Sequence, residues 1–159
     1  MTKDHQRTAM FLLNEKKPLN LYLNMALDEV LTLSSAEPEI RGVDGFLRFY
    51  MWDRPCVSFG YAQSYQKVLA DNPGMPLVRR PSGGGAVRHG LDLTYSVVLF
   101  PPSRLFSKNR MDLYVLFHSA VKAAFSSLGI VCEIRDENDK GAGYYRCFDK
   151  PVFGDVVLP

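Results

Sequence analysis

Cysteine is scarce in this chain, with three in 159 residues. Cys56, Cys132 and Cys147 form no close pair and are odd in number, which argues against a disulfide framework and against a zinc ribbon. No metal site is expected, and a reducing, cytoplasmic setting fits such usage. Net charge is also small, +2 at neutral pH, and the basic residues are scattered apart from the pair Arg79 and Arg80. A nucleic-acid partner therefore has no support. Long hydrophobic runs are missing as well. The apolar stretch near the N-terminus is too short for a signal sequence, and nothing elsewhere approaches a membrane span. Repeats and low-complexity segments are likewise absent. What is present is ordinary for a globular protein, 47% apolar and 23% charged, and the length suits one domain over residues 1–159.

Short apolar runs alternate with two helical patterns. Ala9 to Leu13 reads as a strand. Asn20 offers an N-cap to a helix whose apolar stripe would be Leu23, Ala26, Leu27, Val30 and Leu31. FLRFYMW and CVSFGY read as strands broken at Asp53, Arg54 and Pro55, the composition of a hairpin turn. A turn or short helix around Gln66 to Ala70 leads through NPG to a strand in MPLVRR. Another strand runs from Leu93 to Phe100. A second helix carries Leu113, Leu116, Phe117, Ala120, Ala124 and Leu128 on one stripe and stops at Gly129. IVCEIRD and FGDVVLP supply later β-rich runs. The pattern predicts an α+β domain, a mixed and largely antiparallel sheet of at least five strands with helices packed on it. Val156, Val157 and Leu158 carry apolar character almost to the last residue, as expected of a C-terminally incomplete domain.

One stretch resists a purely structural reading. RRPSGGGAVRHG, Arg79 to Gly90, places three consecutive glycines behind two arginines. Each mid-chain glycine costs roughly 0.5–1 kcal/mol relative to alanine, so three in a row call for a left-handed turn or a ligand against the backbone. The stretch is not a Walker loop, since no Gly-Lys-Ser/Thr follows. It also fails as a dinucleotide fingerprint, because Arg88 stands where the third glycine belongs. Two readings stay open on local chemistry: a bare loop whose N–H groups face an anion beside the guanidinium groups, or a glycine-rich hairpin with two surface arginines.

RRPSGGGAVRHGLDLTYS resembles the signature of the lipoate-protein ligase and octanoyltransferase family, which is related to biotin-protein ligases. NMALDEVL (Asn24 to Leu31) resembles that family's first helix, Leu47 to Gln63 its following strand pair, and Cys147 to Pro159 its later loop and strand. The resemblance implies the biotin/lipoate ligase catalytic fold, with a lipoyl or octanoyl chain in an apolar tunnel beside the glycine loop. It implies that Arg79 or Arg80 and the backbone from Ser82 through Gly83, Gly84, Gly85, Ala86 and Val87 bind an adenylate phosphate or the acyl carbonyl. His89 would hydrogen-bond within the loop or to the ligand, whereas His118 reads as a packing residue and His5 as part of a mobile tail. The acceptor would be a lysine of a lipoyl-domain protein, the E2 subunit of a 2-oxoacid dehydrogenase or the glycine-cleavage carrier protein.

Two routes remain within that family. A ligase would activate lipoate or octanoate with ATP and Mg2+. An octanoyltransferase would take the acyl group from acyl carrier protein onto a cysteine, and Cys147-Phe148-x-x-Pro151 fits the form one transferase group uses, with Arg146 beside it to favour the thiolate. The spacing from His89 to Leu93 also resembles that group, while Gly85 resembles the ligases. Cys147 reads equally as a small lining residue, as in some ligases; Cys56 and Cys132 read as core thiols. The family's lysine segment would follow the strand that DVVLP resembles, and neither Lys140 nor Lys150 occupies its position. The resemblance thus implies an impaired enzyme if the chain acts alone. Alternatives are a non-catalytic or degenerate remnant, or a biotin-protein ligase, whose arginine-rich glycine loop is missing here.

Overall fold

Strand β1 (Met10–Asn14) runs parallel to β2 (Gly45–Tyr50), and β2 pairs antiparallel with β6 (Thr94–Leu99). A second three-stranded sheet has β3 (Cys56–Phe59) at its centre, parallel to β4 (Leu77–Arg79) and antiparallel to β5 (Val87–His89). The computed structural model describes residues 9–34, 42–101, 103–106, 108–136 and 153–159. Among the described residues three helices accompany the strands: α1 (Leu21–Leu33), α2 (Tyr65–Asp71) and α3 (Arg110–Ser127). The chain divides into two compact units, Met1–Phe106 and Ser107–Pro159.

In the first unit the expected α1 forms, capped by the Asn20 side chain, which accepts from the Tyr22 N–H at 2.9 Å. Its buried face is different from the apolar stripe expected. Leu21, Asn24, Met25 and Asp28 point inward, while Leu23 and Val30 are 47% and 58% exposed. The reason is electrostatic. Arg48, in the middle of β2, is 1% exposed, and a buried guanidinium must be met by acceptors. It donates to Asp28 Oδ1 at 2.9 Å, Asn24 Oδ1 at 2.7 Å and the Asn24 carbonyl at 3.1 Å, and Glu15 Oε1 lies 3.4 Å away. Tyr50 and Ser96 hydroxyls donate to the same Asp28 carboxylate at 3.1 and 2.8 Å. Burial and the Asp28 charge push the Tyr50 phenol well above its ordinary pKa, so it stays a donor. The helix is turned to bring its polar pair onto Arg48, and its apolar neighbours follow from that.

The strands on either side of Asp53-Arg54-Pro55 also form, but they are not a hairpin. β2 belongs to the β1-β2-β6 sheet and β3 to the β4-β3-β5 sheet. The turn is therefore a crossing between sheets, and no single five-stranded sheet forms among the described residues. The architecture is mixed α+β, with three antiparallel pairings against two parallel ones among the described residues. Leu21 and Met25 of α1 meet Tyr50, Trp52, Cys56 and Val78 in one buried cluster that joins the helix to both sheets. Phe46 adds a second aromatic contact set, stacked on Phe11 and edge-on to Phe100.

The second unit contains α3 and the short antiparallel pair β7 (Glu133–Ile134) and β8 (Val156–Val157). Asn109 caps α3 by accepting from the Asp112 N–H at 2.8 Å. The helix ends where Gly129 takes φ +77°, as its position after the last apolar residue predicts. Of the expected stripe, Leu113 and Phe117 are half-buried, and Leu116 and Leu128 are exposed. His118 donates from Nδ1 to the Gly154 carbonyl at 2.7 Å with its ring against Tyr114. The Tyr114 hydroxyl in turn donates to Asp155.

Candidate functional site

The glycine loop leaves β4 at Arg80 and returns as β5 at Val87, so both of its ends are fixed to the central strand β3. Its carbonyls are taken up by the protein one after another. Ser82 O accepts from the Tyr61 N–H at 2.9 Å. Gly83 O and Gly85 O accept from Arg80 Nη2 at 3.2 and 2.7 Å. Gly84 O rests against Gly60, where any Cβ would overlap it and would also come within 3.0 Å of the Gly83 carbonyl carbon. Glycine at position 60 is thus required by backbone-to-backbone approach.

These contacts orient the peptide planes. In a trans peptide the N–H points opposite to the C=O, and no cis bond is present. The N–H groups of Gly83, Gly84 and Gly85 therefore point away from the 60–61 backbone and the Arg80 head that hold the carbonyls. Gly84 sits at φ +99°, which allows consecutive N–H groups to turn the same way and form a concavity of the kind that binds anions. A Cβ at Gly83 would meet nothing within 4 Å, so that side of the loop is open.

The two arginines divide the labour of shaping this loop. Arg79 lies over the Phe59 ring and donates through Nη1 to the Tyr61 and Gln63 carbonyls. It fixes the 60–63 turn on which the loop leans. Arg80 reaches the other way. Its Nη1 donates to Ser58 O at 2.9 Å and Ser58 Oγ at 2.8 Å, while Nη2 holds the two glycine carbonyls.

Ser58 connects this clamp to His89. Its Oγ lies 2.7 Å from His89 Nε2, and His89 Nδ1 lies 2.8 Å from Asp92 Oδ2. Thr94 Oγ1 also donates to Asp92 Oδ2, at 2.9 Å, and accepts from Trp52 Nε1 at 2.8 Å. The Gly90 N–H occupies the other carboxylate oxygen at 2.8 Å. The Trp52 ring stacks on the imidazole with centroids 3.9 Å apart. Guanidinium and indole can only donate, and an ionised carboxylate can only accept. The Nδ1–H of His89 therefore points to Asp92, and with the imidazole neutral the Ser58 hydroxyl donates to Nε2. Burial lowers the His89 pKa and Arg80 lowers it further, against the opposing pull of Asp92, so the imidazole is neutral at neutral pH. Burial works to raise Asp92, but the bonds from His89, Gly90 and Thr94 outweigh it and hold the carboxyl below its ordinary value.

Serine, histidine and aspartate here have the distances of a hydrolytic triad. Ser58 is 0% exposed, with its proton on His89 and one lone pair on Arg80, so no substrate can reach it for attack. The trio braces the loop. Cys56, opposite His89 on β3, is buried and its thiol is pushed up to about 11 by that burial, which makes it a core thiol; Cys132 is also buried.

The sequence-derived set Arg79, Arg80, Ser82, Gly83, Gly84, Gly85, Ala86, Val87 and His89 lies on one continuous segment between β4 and β5. Cys147, with Arg146, Phe148, Pro151, Lys140, Lys150 and His5, lies outside the described residues. Sequence reading missed Ser58, Gly60, Trp52 and Asp92. Ser58 carries a usable signal, a hydroxyl in the otherwise apolar run Cys56 to Phe59, because a polar group buried in such a strand needs a partner. No group of three or more His, Cys, Asp or Glu side chains able to hold a metal is found among the described residues.

The family model of the lipoyl protein ligase A/B catalytic domain matches residues 20–143. An octanoyltransferase LipM of Oceanobacillus iheyensis is 32% identical over 148 residues, covering 90% of this chain and 53% of that protein. The octanoyltransferase LipM of Moorella thermoacetica is 34% identical over 143 residues, covering 86% of this chain and 51% of the relative. The chain spans about half the length of the relatives it matches. A solved T. acidophilum structure, described as a candidate lipoate protein ligase, superposes with a TM-score of 0.60 at 29% identity, covering 87% of this chain and 56% of that one. With its glycine loop braced between β4 and β5 and most of its length matched, this chain belongs to the lipoyl protein ligase A/B catalytic domain family.

Proposed function

We propose that this chain contributes the acyl-binding part of an octanoyltransferase, which moves an octanoyl group from a carrier-protein thioester to a lysine of a lipoyl-domain protein. The observation that carries the proposal is the glycine loop, whose Ser82, Gly83 and Gly85 carbonyls accept from Tyr61 and Arg80 and whose Gly84 carbonyl packs against Gly60, while the N–H groups of Gly83 to Gly85 are turned the other way. Acyl transfer develops negative charge on the carbonyl oxygen, and preoriented N–H donors stabilise that charge most in the transition state. The open side of Gly83 lets a substrate lie against the backbone. Octanoyl is the group named in the similar LipM proteins. In this reading Cys147 takes the acyl group as a thioester, releasing the carrier thiol, and the acceptor lysine then displaces the cysteine to give the amide.

A second reading, an ATP- and Mg2+-dependent lipoate ligase, is favoured by the T. acidophilum neighbour. In it the same N–H groups would face the adenylate phosphate. Intact-mass spectrometry separates the two. The chain is incubated with octanoyl-carrier protein, or with lipoate, ATP and Mg2+, each with a lipoyl-domain acceptor. An octanoyl adduct that forms without ATP and is lost in Cys147→Ser supports the transferase. Acyl transfer that requires ATP and survives Cys147→Ser supports the ligase and overturns the first reading.

Free thiols at Cys56 and Cys132 accord with a reducing, cytoplasmic setting. No helix among the described residues is long and apolar enough to cross a membrane.

A further inference from the structure

We infer that Ser58, a residue no ligand can touch, is the positioning residue of the glycine loop: its hydroxyl passes the orientation that Asp92 imposes on His89 to Arg80, and so to the carbonyls of Gly83 and Gly85. The inference rests on the acyl-binding reading for its importance, though not for its geometry.

A hydroxyl has one proton and two lone pairs. Here the proton goes to His89 Nε2 at 2.7 Å and a lone pair takes the Arg80 Nη1 proton at 2.8 Å. The arrangement works for a single state of the imidazole. If Nε2 carried a proton, either in the other tautomer or in the imidazolium, His89 and Arg80 would both drive donors at one oxygen. The Ser58 proton would then have to turn into a fully buried environment, at the cost of an unmade bond. In the imidazolium the charge also faces the guanidinium across that oxygen, and the repulsion would shift Arg80 and with it the two peptide planes it holds.

Asp92 selects the working state by accepting from Nδ1, and it is itself fixed by Thr94 and the Gly90 N–H. Among the described residues the groups that face the ring are few. Asp92 comes from the loop after β5, Arg80 from the end of β4, and Cys56 from β3, the last with its thiol uncharged. Trp52 covers one face without charge. Protonation of His89 therefore sets two cations, His89 and Arg80, against one shared oxygen, with Asp92 on the far side of the ring. The loop should lose its shape in acid because of that contact rather than through unfolding.

The test is NMR spectroscopy of the chain with octanoate as the probe. Near neutral pH the His89 ring should show a protonated Nδ1 and an unprotonated Nε2. On acidification the amide resonances of Gly83 to Ala86 should titrate together with that ring. In Ser58→Ala the ring should still titrate while the loop amides cease to follow it, and octanoate binding should weaken by about tenfold, the worth of one hydrogen bond involving a charged partner. Ser58→Thr, which keeps the hydroxyl, should restore the coupling. Asp92→Asn removes the charge that favours imidazolium, so the loop midpoint should move to lower pH; this variant decides the matter if Ser58→Ala does not fold. Loop amides that still follow His89 in Ser58→Ala, an unmoved midpoint in Asp92→Asn, or a protonated Nε2 at neutral pH would each overturn the inference. If octanoate moves no amide of the wild-type chain, the acyl-binding reading fails and the coupling experiment still decides the role of Ser58.

Discussion

Arg48 and Arg80 both lie among buried groups and both spend their donors on the protein, yet they do different work. Arg48 bonds across the fold, to α1 and to the end of β1, and two of its acceptors are carboxylates. Arg80 bonds to Ser58 on the neighbouring strand and to carbonyls three and five residues ahead of itself. The first arginine joins elements and therefore supports the fold. The second bends its own chain and therefore shapes a surface. Partner chemistry follows from these tasks. Long-range anchoring of a buried cation demands opposite charge, whereas orienting peptide planes demands a rigid fork that reaches two carbonyls at once.

The sharpest way to break this comparison is Asp28→Ala. It leaves Arg48 buried without its main carboxylate, and about 3–5 kcal/mol of stability should be lost in urea unfolding. Octanoate affinity per folded molecule should be unchanged; a parallel loss of affinity would mean that the two networks are one. Gly60→Ala should do the reverse. Its Cβ forces the loop outward, and octanoyl transfer should fall by about a hundredfold, as for a misplacement of about 1 Å, while most stability is retained. A milder probe is pH. The folded-state pKa of His89 is depressed, so the unfolded chain takes up its proton first as pH falls. Stability should be full above about pH 6.5 and should decline below it toward the folded value, by at most about 1.4 kcal/mol per pH unit. Urea midpoints across that range should show the slope in the wild type and lose it in His89→Gln. Smallest is Asn20→Ala, which removes the α1 cap; about 1 kcal/mol should go, with the loop amides unmoved.

How far the sequence spoke follows the same division. Local signals were legible: the Asn20 cap, the Gly129 stop and the bare Gly83-Gly84-Gly85 run all concern residues close together in the chain. The partners that give those signals meaning are remote. Apolar spacing put Leu23 and Val30 on the inner face of α1, but Arg48, twenty residues beyond Asp28, overrode hydrophobicity and drew Asn24 and Asp28 inward. Asp53, Arg54 and Pro55 correctly marked a turn. Whether a turn closes a hairpin or crosses between sheets depends on strand pairing, here β2 with β6, which lies far along the chain. The glycine segment was found from its cost, yet Gly60 and Ser58 were not, because a single glycine just past β3 has no local signature and a lone hydroxyl in an apolar strand does not name the remote partners it needs.

From the Trp52 and Arg80 ends alike, each hydrogen in the chain through Thr94, His89 and Ser58 points along the path that ends on Asp92. Such a network has one arrangement of its hydrogens and no mirror arrangement of equal energy. Ice-like disorder, in which donors and acceptors exchange roles, is thereby excluded by the composition of its ends, two obligate donors and one obligate acceptor. A loop hung from a network without that degeneracy has one shape before any substrate arrives, so little conformational entropy remains to be surrendered when an acyl group is bound.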